Sequence, residues 1–447
     1  MSSQQDPLNK RKRALSLTEG SLLFERAKKK QKKATEFCLK EWTLIKQRDA
    51  KPWTHDEDLE ANTGPLITGV PRNASMLGAF LAIMTTPLLY SLRKALGPSF
   101  NIKTYFKIMA LRIYIQFTEH PPIRGVETRP LYNAFLRASS DFSAKFPKVP
   151  CWSTWSKHFN NWAFPIAWCR THLSSAFGSL VRGVPFYVLD EKLKRYTGNS
   201  PFIRQVLTKP DKIGHWISEL CVLLAQDIPF CTGVYPLTSC KAAGEKTSVL
   251  TLIEWAARKM HRLPAGKNPT LVADSYYLDT AGKKHLNDTK IPYICSVNPV
   301  RFRSQCDVLK REVGGSHGKW AAIQNSGTGE LAVHVMDPTV GAKYVFTNCF
   351  KEQTRKKLRA HQIPVWGEYR YAFSACDKLN LQMAGHYWPF RRMTWSHSID
   401  SFVFTVLLFN TYNLYRFAND EDTSIIGTKD AMIDLSFSLY AHAEAMH

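Results

Sequence analysis

At Gly183 the spacing of apolar residues changes period, and no other feature of this 447-residue chain limits its fold as strongly. Upstream, apolar positions recur every three or four residues, the spacing of buried helices. Downstream they gather into short runs of strand length. Within 102–117, Ile102, Tyr105, Phe106, Ile108, Met109, Leu111, Ile113, Tyr114 and Phe117 predict one such helix, which His120, Pro121 and Pro122 stop. Trp152, Trp155, Trp162 and Trp168 mark a second helical stretch that ends near Arg182. A Trp series of this kind belongs to a core more often than to a base-stacking platform.

Past Gly183 the runs 186–189, 220–225 and 230–235 predict three strands, and the first ends in Asp190. Residues 247–261 predict a helix, 270–273 a fourth strand ending in Asp274, 276–286 a helix and 291–297 a strand. Three strands, a helix, then a strand with an acid at its end is the order of a ribonuclease H-like α/β core. Two more strands, 330–336 and 342–346, fall in a segment expected to be an inserted β-rich subdomain, 301–368. The pattern is helical again over 369–383 and 398–416. The parse is therefore a disordered basic arm over 1–36, a helical region over 41–183 and the first part of the core over 184–300. The insertion over 301–368, the last part of the core over 369–416 and a helical tail over 417–447 complete it.

Lys and Arg number 60 against 37 Asp and Glu, a net charge of +23. Residues 1–33 carry ten basic and three acidic side chains, a surplus of +7, so +16 belongs to the remainder. A polyanionic partner is expected, nucleic acid ahead of an acidic membrane surface. The two basic clusters, 10–13 and 28–33, have the form of a bipartite nuclear import signal, which implies a nuclear location and an import receptor. The ten cysteines include no CxxC pair, which argues against a zinc module and for reduced, buried thiols. The start of the chain is polar and then basic, unlike a secretory signal, and no apolar stretch is long enough to span a bilayer.

Phosphodiester chemistry needs hard oxygen ligands to hold Mg²⁺. Asp190 and Asp274 at strand ends and Asp377 at the expected start of a later helix are candidates. Around them the sequence resembles a known family. Asp190-Glu191-Lys192, followed by Thr208-Lys209-Pro210-Asp211-Lys212-Ile213-Gly214, is similar to the piggyBac transposase pattern of a "DE" strand end before an "NKPDKYG" turn. Val272-Ala273-Asp274-Ser275-Tyr276-Tyr277 resembles that family's second-aspartate motif, and Cys376-Asp377-Lys378-Leu379-Asn380-Leu381-Gln382-Met383 its third, with one residue added. Arg391, Arg392 and Trp395 stand near its "RW" element. The resemblance covers about residues 75–416.

The resemblance implies a DDE transposase with a ribonuclease H-like catalytic core, and helical regions for DNA binding and dimerisation. Such an enzyme cuts and joins DNA at TTAA targets by a cut-and-paste mechanism. It implies two Mg²⁺ ions, with Mn²⁺ as a substitute, held by Asp190, Asp274 and Asp377, with Asn380 beside them. It also implies a homodimer gripping double-stranded DNA, both transposon ends and target. Lys209, Lys212, Arg391 and Arg392 are candidates for phosphate contacts and Trp395 for base stacking. Each has a structural alternative: a turn for the lysines, a solvated helix face for the arginines and core packing for Trp395. Two departures stand out. A further acid of the third motif is here the neutral Asn380, and the family's cysteine-rich C-terminal zinc finger is absent. They motivate a rival, a domesticated, transposase-derived nuclear DNA-binding protein that no longer cuts; a structure-selective nuclease without strand transfer is a weaker one.

Overall fold

A computed structural model describes residues 42–46, 53–55, 66–118, 146, 151–206, 212–237, 248–263, 266–352, 364–386, 395–419 and 427–446. Two units emerge: Met1–Glu57 with Tyr293–Glu368, and Asp58–Pro292 with Tyr369–His447. The basic arm, the acidic turn at Asp420–Asp422, and Lys209, Arg391 and Arg392 lie outside the described residues.

The larger unit is built on a meander of strands β1 (Phe186–Arg195), β2 (Ile213–Leu223) and β3 (Pro229–Pro236), each antiparallel to the one before. Strand β4 (Thr270–Ala273) then lies parallel to β1 on its other side, with Leu189 opposite Ala273. An antiparallel hairpin closes with a short turn, whereas a parallel partner requires a crossover. Here the described part of that crossover includes the helix Val249–Lys259, whose Ser248 hydroxyl accepts a hydrogen bond from the Thr251 amide and whose Leu252, Ile253, Trp255 and Ala256 are buried. Strand β1 is central and covered on both faces, so Tyr187, Val188 and Leu189 read as one apolar run.

Helices complete the unit. α1 (Ile102–Thr118) packs along α4 (Thr428–Ala445), and α3 (Trp395–Ala418) is buried continuously from His397 to Leu414. A helix that is apolar all round belongs in an interior. Several of its polar residues find partners there: Asp400 pairs with Arg112 at 2.7 Å and accepts the Phe164 amide at 2.8 Å. Asn410 accepts from the Cys231 amide at 2.9 Å and donates to the Cys231 carbonyl at 2.8 Å, occupying backbone groups of β3 as a neighbouring strand would. Trp155, Trp162 and Trp168 are all buried, as a core series should be.

The smaller unit contains a sheet of β5 (Tyr293–Ser296), β6 (Trp320–Asn325), β7 (Leu331–Asp337) and β8 (Gly341–Thr347) in the order β6-β7-β8-β5, all antiparallel. The strands that the sequence predicts at 330–336 and 342–346 are β7 and β8. Strand β6 and the helix Arg303–Val313 are additions that its apolar pattern does not predict.

Several expectations are corrected. The region 41–183 is not helical throughout: Trp42–Lys46 is a strand that pairs antiparallel with β6, with Leu44 opposite Ile323. Trp42 is buried beside Phe346, so tertiary pairing overrides local pattern there. Asp190 is not the end of its strand, because a ladder needs only backbone partners and β2 supplies them as far as Arg195 opposite Gly214. At Gly214 a Cβ would stand 2.2 Å from the Lys194 carbonyl oxygen, so this glycine is a close approach within a strand and not a turn residue. Asp377 does not start its helix. α2 (Pro364–Met383) begins thirteen residues earlier at a proline, which is tolerated in a first turn. The helix expected over 276–286 begins only at Thr280, where the Asp279 carboxylate caps the Gly282 amide at 2.8 Å.

No single helix among the described residues is long and apolar enough to cross a membrane. Two short ones, Met76–Ile83 and Thr86–Leu96, pass that test only together, and the first buries Met76, Ala79, Phe80 and Ile83 inside the protein.

Candidate functional site

Register alone brings the first two aspartates together. With Leu189 opposite Ala273 in the parallel β1/β4 pair, Asp190 and Asp274 are the next residues of their two segments and stand at one level. Asp190 is 8 % exposed and Asp274 half-buried. Across the antiparallel β1/β2 ladder Asp190 is paired with Glu219, and directly opposed residues share a face. Glu219 is fully buried, and neither of its carboxylate oxygens has a hydrogen-bond partner. Burial pushes its pKa up to about 7, with Lys192 acting in the other direction. The neighbouring Glu191 and Ser218 are likewise paired, and on that face the Tyr277 hydroxyl meets Ser218 at 3.0 Å. The Tyr277 hydroxyl is raised well above its usual range, first by burial and then by the charges of Glu191 and Asp190.

Helix α2 runs alongside this sheet. Tyr371 and Ala372 line a largely apolar cavity of about 180 Å³ with Phe186, Val188 and Leu223. One turn on, the Cys376 thiol sits 3.9 Å from the Val188 carbonyl, hydrogen-bonds the Cys221 side chain and feels the charges of Asp190 and Glu219. Successive turns of α2 therefore climb from the level of Phe186 toward that of Asp190, and the next turn carries Asn380. Its buried Oδ1 has no hydrogen-bond partner. Asp377 lies on the exposed side of the same turn, and Lys378 pairs with Asp227 at 3.0 Å.

The remaining candidates are more scattered. Lys212 is exposed just before β2, its carbonyl accepting from the Val206 amide at 2.8 Å to close the loop at its base. Trp395, half-buried at the start of α3, meets Phe202 edge to face at 5.0 Å. Among the described residues no three His, Cys, Asp or Glu side chains are gathered to hold a metal ion. What the fold does bring to one level is an all-oxygen donor set, two of whose members have unpartnered buried acceptors. Hard cations such as Mg²⁺ take donors of this kind. Glu219 was missed in the sequence, although a lone acid inside the apolar run from Trp216 to Leu224 was the available signal.

No family model and no curated protein matches the chain. Its fold is similar to a solved cryo-EM structure of piggyBac transposase in a synaptic complex with hairpin DNA, at a TM-score of 0.65 and 13 % identity, covering 85 % of this chain and 83 % of that one. The chain thus has a mixed α/β, piggyBac-transposase-like fold.

Proposed function

We propose that the chain is a piggyBac-like DDE DNA transposase that cuts and joins DNA at TTAA targets, with Asp190, Asp274 and Asp377 as its metal ligands. The observation that carries this reading is the β1/β4 register, which sets Asp190 and Asp274 side by side on neighbouring strands, with α2 alongside. The likeness to a transposase captured with hairpin DNA supports it. Two Mg²⁺ ions, or Mn²⁺, would supply charge neutralisation at the scissile phosphate and activation of water or a 3′-hydroxyl. The chain's own part is to hold and orient. Asp190, on a central strand with little rotational freedom, fixes one side of the site, and Asp274 holds the adjoining position. Asp377 approaches from α2. Exposed Lys212, with Lys209, Arg391 and Arg392, grips phosphates, and the Trp395 ring offers a base platform at the head of α3. A homodimer in the nucleus, reached by an import receptor, would bring two DNA ends together.

Asp190→Ala, Asp274→Ala and Asp377→Ala should each abolish Mg²⁺-dependent nicking of cognate ends while circular dichroism stays that of the folded protein. Undiminished nicking in all three variants would sink the assignment. A second reading, a transposase-derived DNA-binding protein that no longer cuts, is favoured by the neutral Asn380 and by the lack of a gathered three-acid cluster among the described residues. Salt-sensitive DNA binding with no metal-dependent nicking would select it. Excision in cells that restores a TTAA site would dismiss it.

A further inference from the structure

Buried polar atoms in native proteins almost always have partners, so an orphan beside a candidate site calls for an explanation. Two orphans stand at one level here. Glu219, opposite Asp190 on the ladder, is wholly buried with both oxygens unpartnered, and Asn380 Oδ1 is buried and unpartnered on the turn of α2 that reaches the same height. Cys376, one turn before Asn380, feels the charges of both Asp190 and Glu219, so α2 runs beside this pair of carboxylates. Both orphans are acceptors. Neither acceptor can satisfy the other, and the carboxylate of Glu219, directly opposite Asp190, repels it unless a cation lies between them.

We propose that Glu219 is a fourth acid of the divalent-cation site, supplying from β2 the negative charge that Asn380 lacks on α2. This rests on the reading that the Asp190 site holds a divalent cation. It turns the neutral amide of the third motif from a defect into half of an exchange: the charge has moved from the helix to the neighbouring strand. Asn380 Oδ1 then serves as a neutral ligand or accepts from a cation-bound water, in keeping with the mixed carboxylate and carbonyl shells such ions take.

The test is Mn²⁺ binding to the full chain, read from loss of the free-ion electron paramagnetic resonance signal, which needs no DNA and no turnover. Glu219→Gln keeps the shape and removes the charge, and it should weaken Mn²⁺ binding by about tenfold or more. Asn380→Asp alone should tighten binding, and placed on Glu219→Gln it should return affinity to within about threefold of the wild type. Unfolding transitions verify that each variant is folded. If Asp190→Asn loses Mn²⁺ while Glu219→Gln binds as the wild type does, the role of Glu219 is overturned and the metal-site reading survives. If the double variant stays as weak as Glu219→Gln, the exchange of charge is overturned. Absence of Mn²⁺ binding by the wild type overturns both.

Discussion

His215 sits fully buried on β2, its ring stacked on Tyr196 at 4.7 Å and its Nε2 2.9 Å from the Ser200 hydroxyl, while Nδ1 has no partner. Burial lowers its pKa to about 4. The unfolded chain therefore binds this proton more tightly than the folded one. Its contribution to stability is complete above the unfolded pKa of about 6.5 and is lost as pH falls toward 4. His386 and His334 are shifted down for the same first reason, which adds to the slope. Urea denaturation at pH 5 and pH 7.5 should show the protein less stable at the lower pH, and His215→Gln should remove about 1–2 kcal/mol of that difference. An unchanged pH dependence in the variant would show that His215 titrates normally. Residues differ in how far sequence exposes them. Asp190 and Asp274 are conspicuous because each follows a run of apolar residues, and a carboxylate there interrupts the pattern. Glu219 is equally acidic, yet its meaning depends on standing opposite Asp190, and that register is set by pairing over the length of β1 and β2.

Among the elements, α3 shows both sides of that limit. Residues 398–416 predict a helix and the structure gives Trp395–Ala418. Nothing in a single sequence says that Asn410, Asn413, Thr405 and Asp400 face an interior, because their partners lie far along the chain in β3 and α1. The meander was legible in outline from its apolar runs. Its strand limits were not, because the charged ends of β1 and the His215–Glu219 stretch of β2 are held by ladder hydrogen bonds and not by hydrophobicity. The strand Trp42–Lys46 was hidden for the same reason, its partner β6 lying nearly three hundred residues away. One consequence can be measured. Asn410→Leu fills a similar volume but leaves the Cys231 amide and carbonyl buried without their side-chain partner. Each such orphan costs about 1–3 kcal/mol, so the variant should lose about 2–5 kcal/mol in urea denaturation. Asn410→Asp, which retains the acceptor for the Cys231 amide and loses the donor, should fall between the two. A loss below about 1 kcal/mol in Asn410→Leu would mean that β3 does not depend on this side chain.

At the scale of the whole molecule the question is where the charge acts. The +7 on residues 1–33 would bind any polyanion loosely, whereas the +16 on the remainder has to be reconciled with acids at the centre of the larger unit. Those acids are mostly buried: Asp190, Glu191 and Glu219 are withdrawn from solvent, so on the proposed function the basic surplus would still draw in a phosphate backbone. On the proposed function, DNA binding should weaken steeply with salt, the logarithm of the affinity falling by about 0.9 for each phosphate neutralised per logarithmic unit of salt. Deleting residues 1–33 should reduce that slope yet leave most of it, because the folded body supplies the larger share of charge. Lys212→Ala should lower the slope by about 1 and weaken binding similarly on every DNA sequence, as a phosphate contact does. Fluorescence anisotropy on a labelled duplex at several salt concentrations measures all three. If the truncated chain no longer binds, the arm carries the interaction and the body is basic for some other reason; if Lys212→Ala keeps the full slope, the loop before β2 stands away from the DNA.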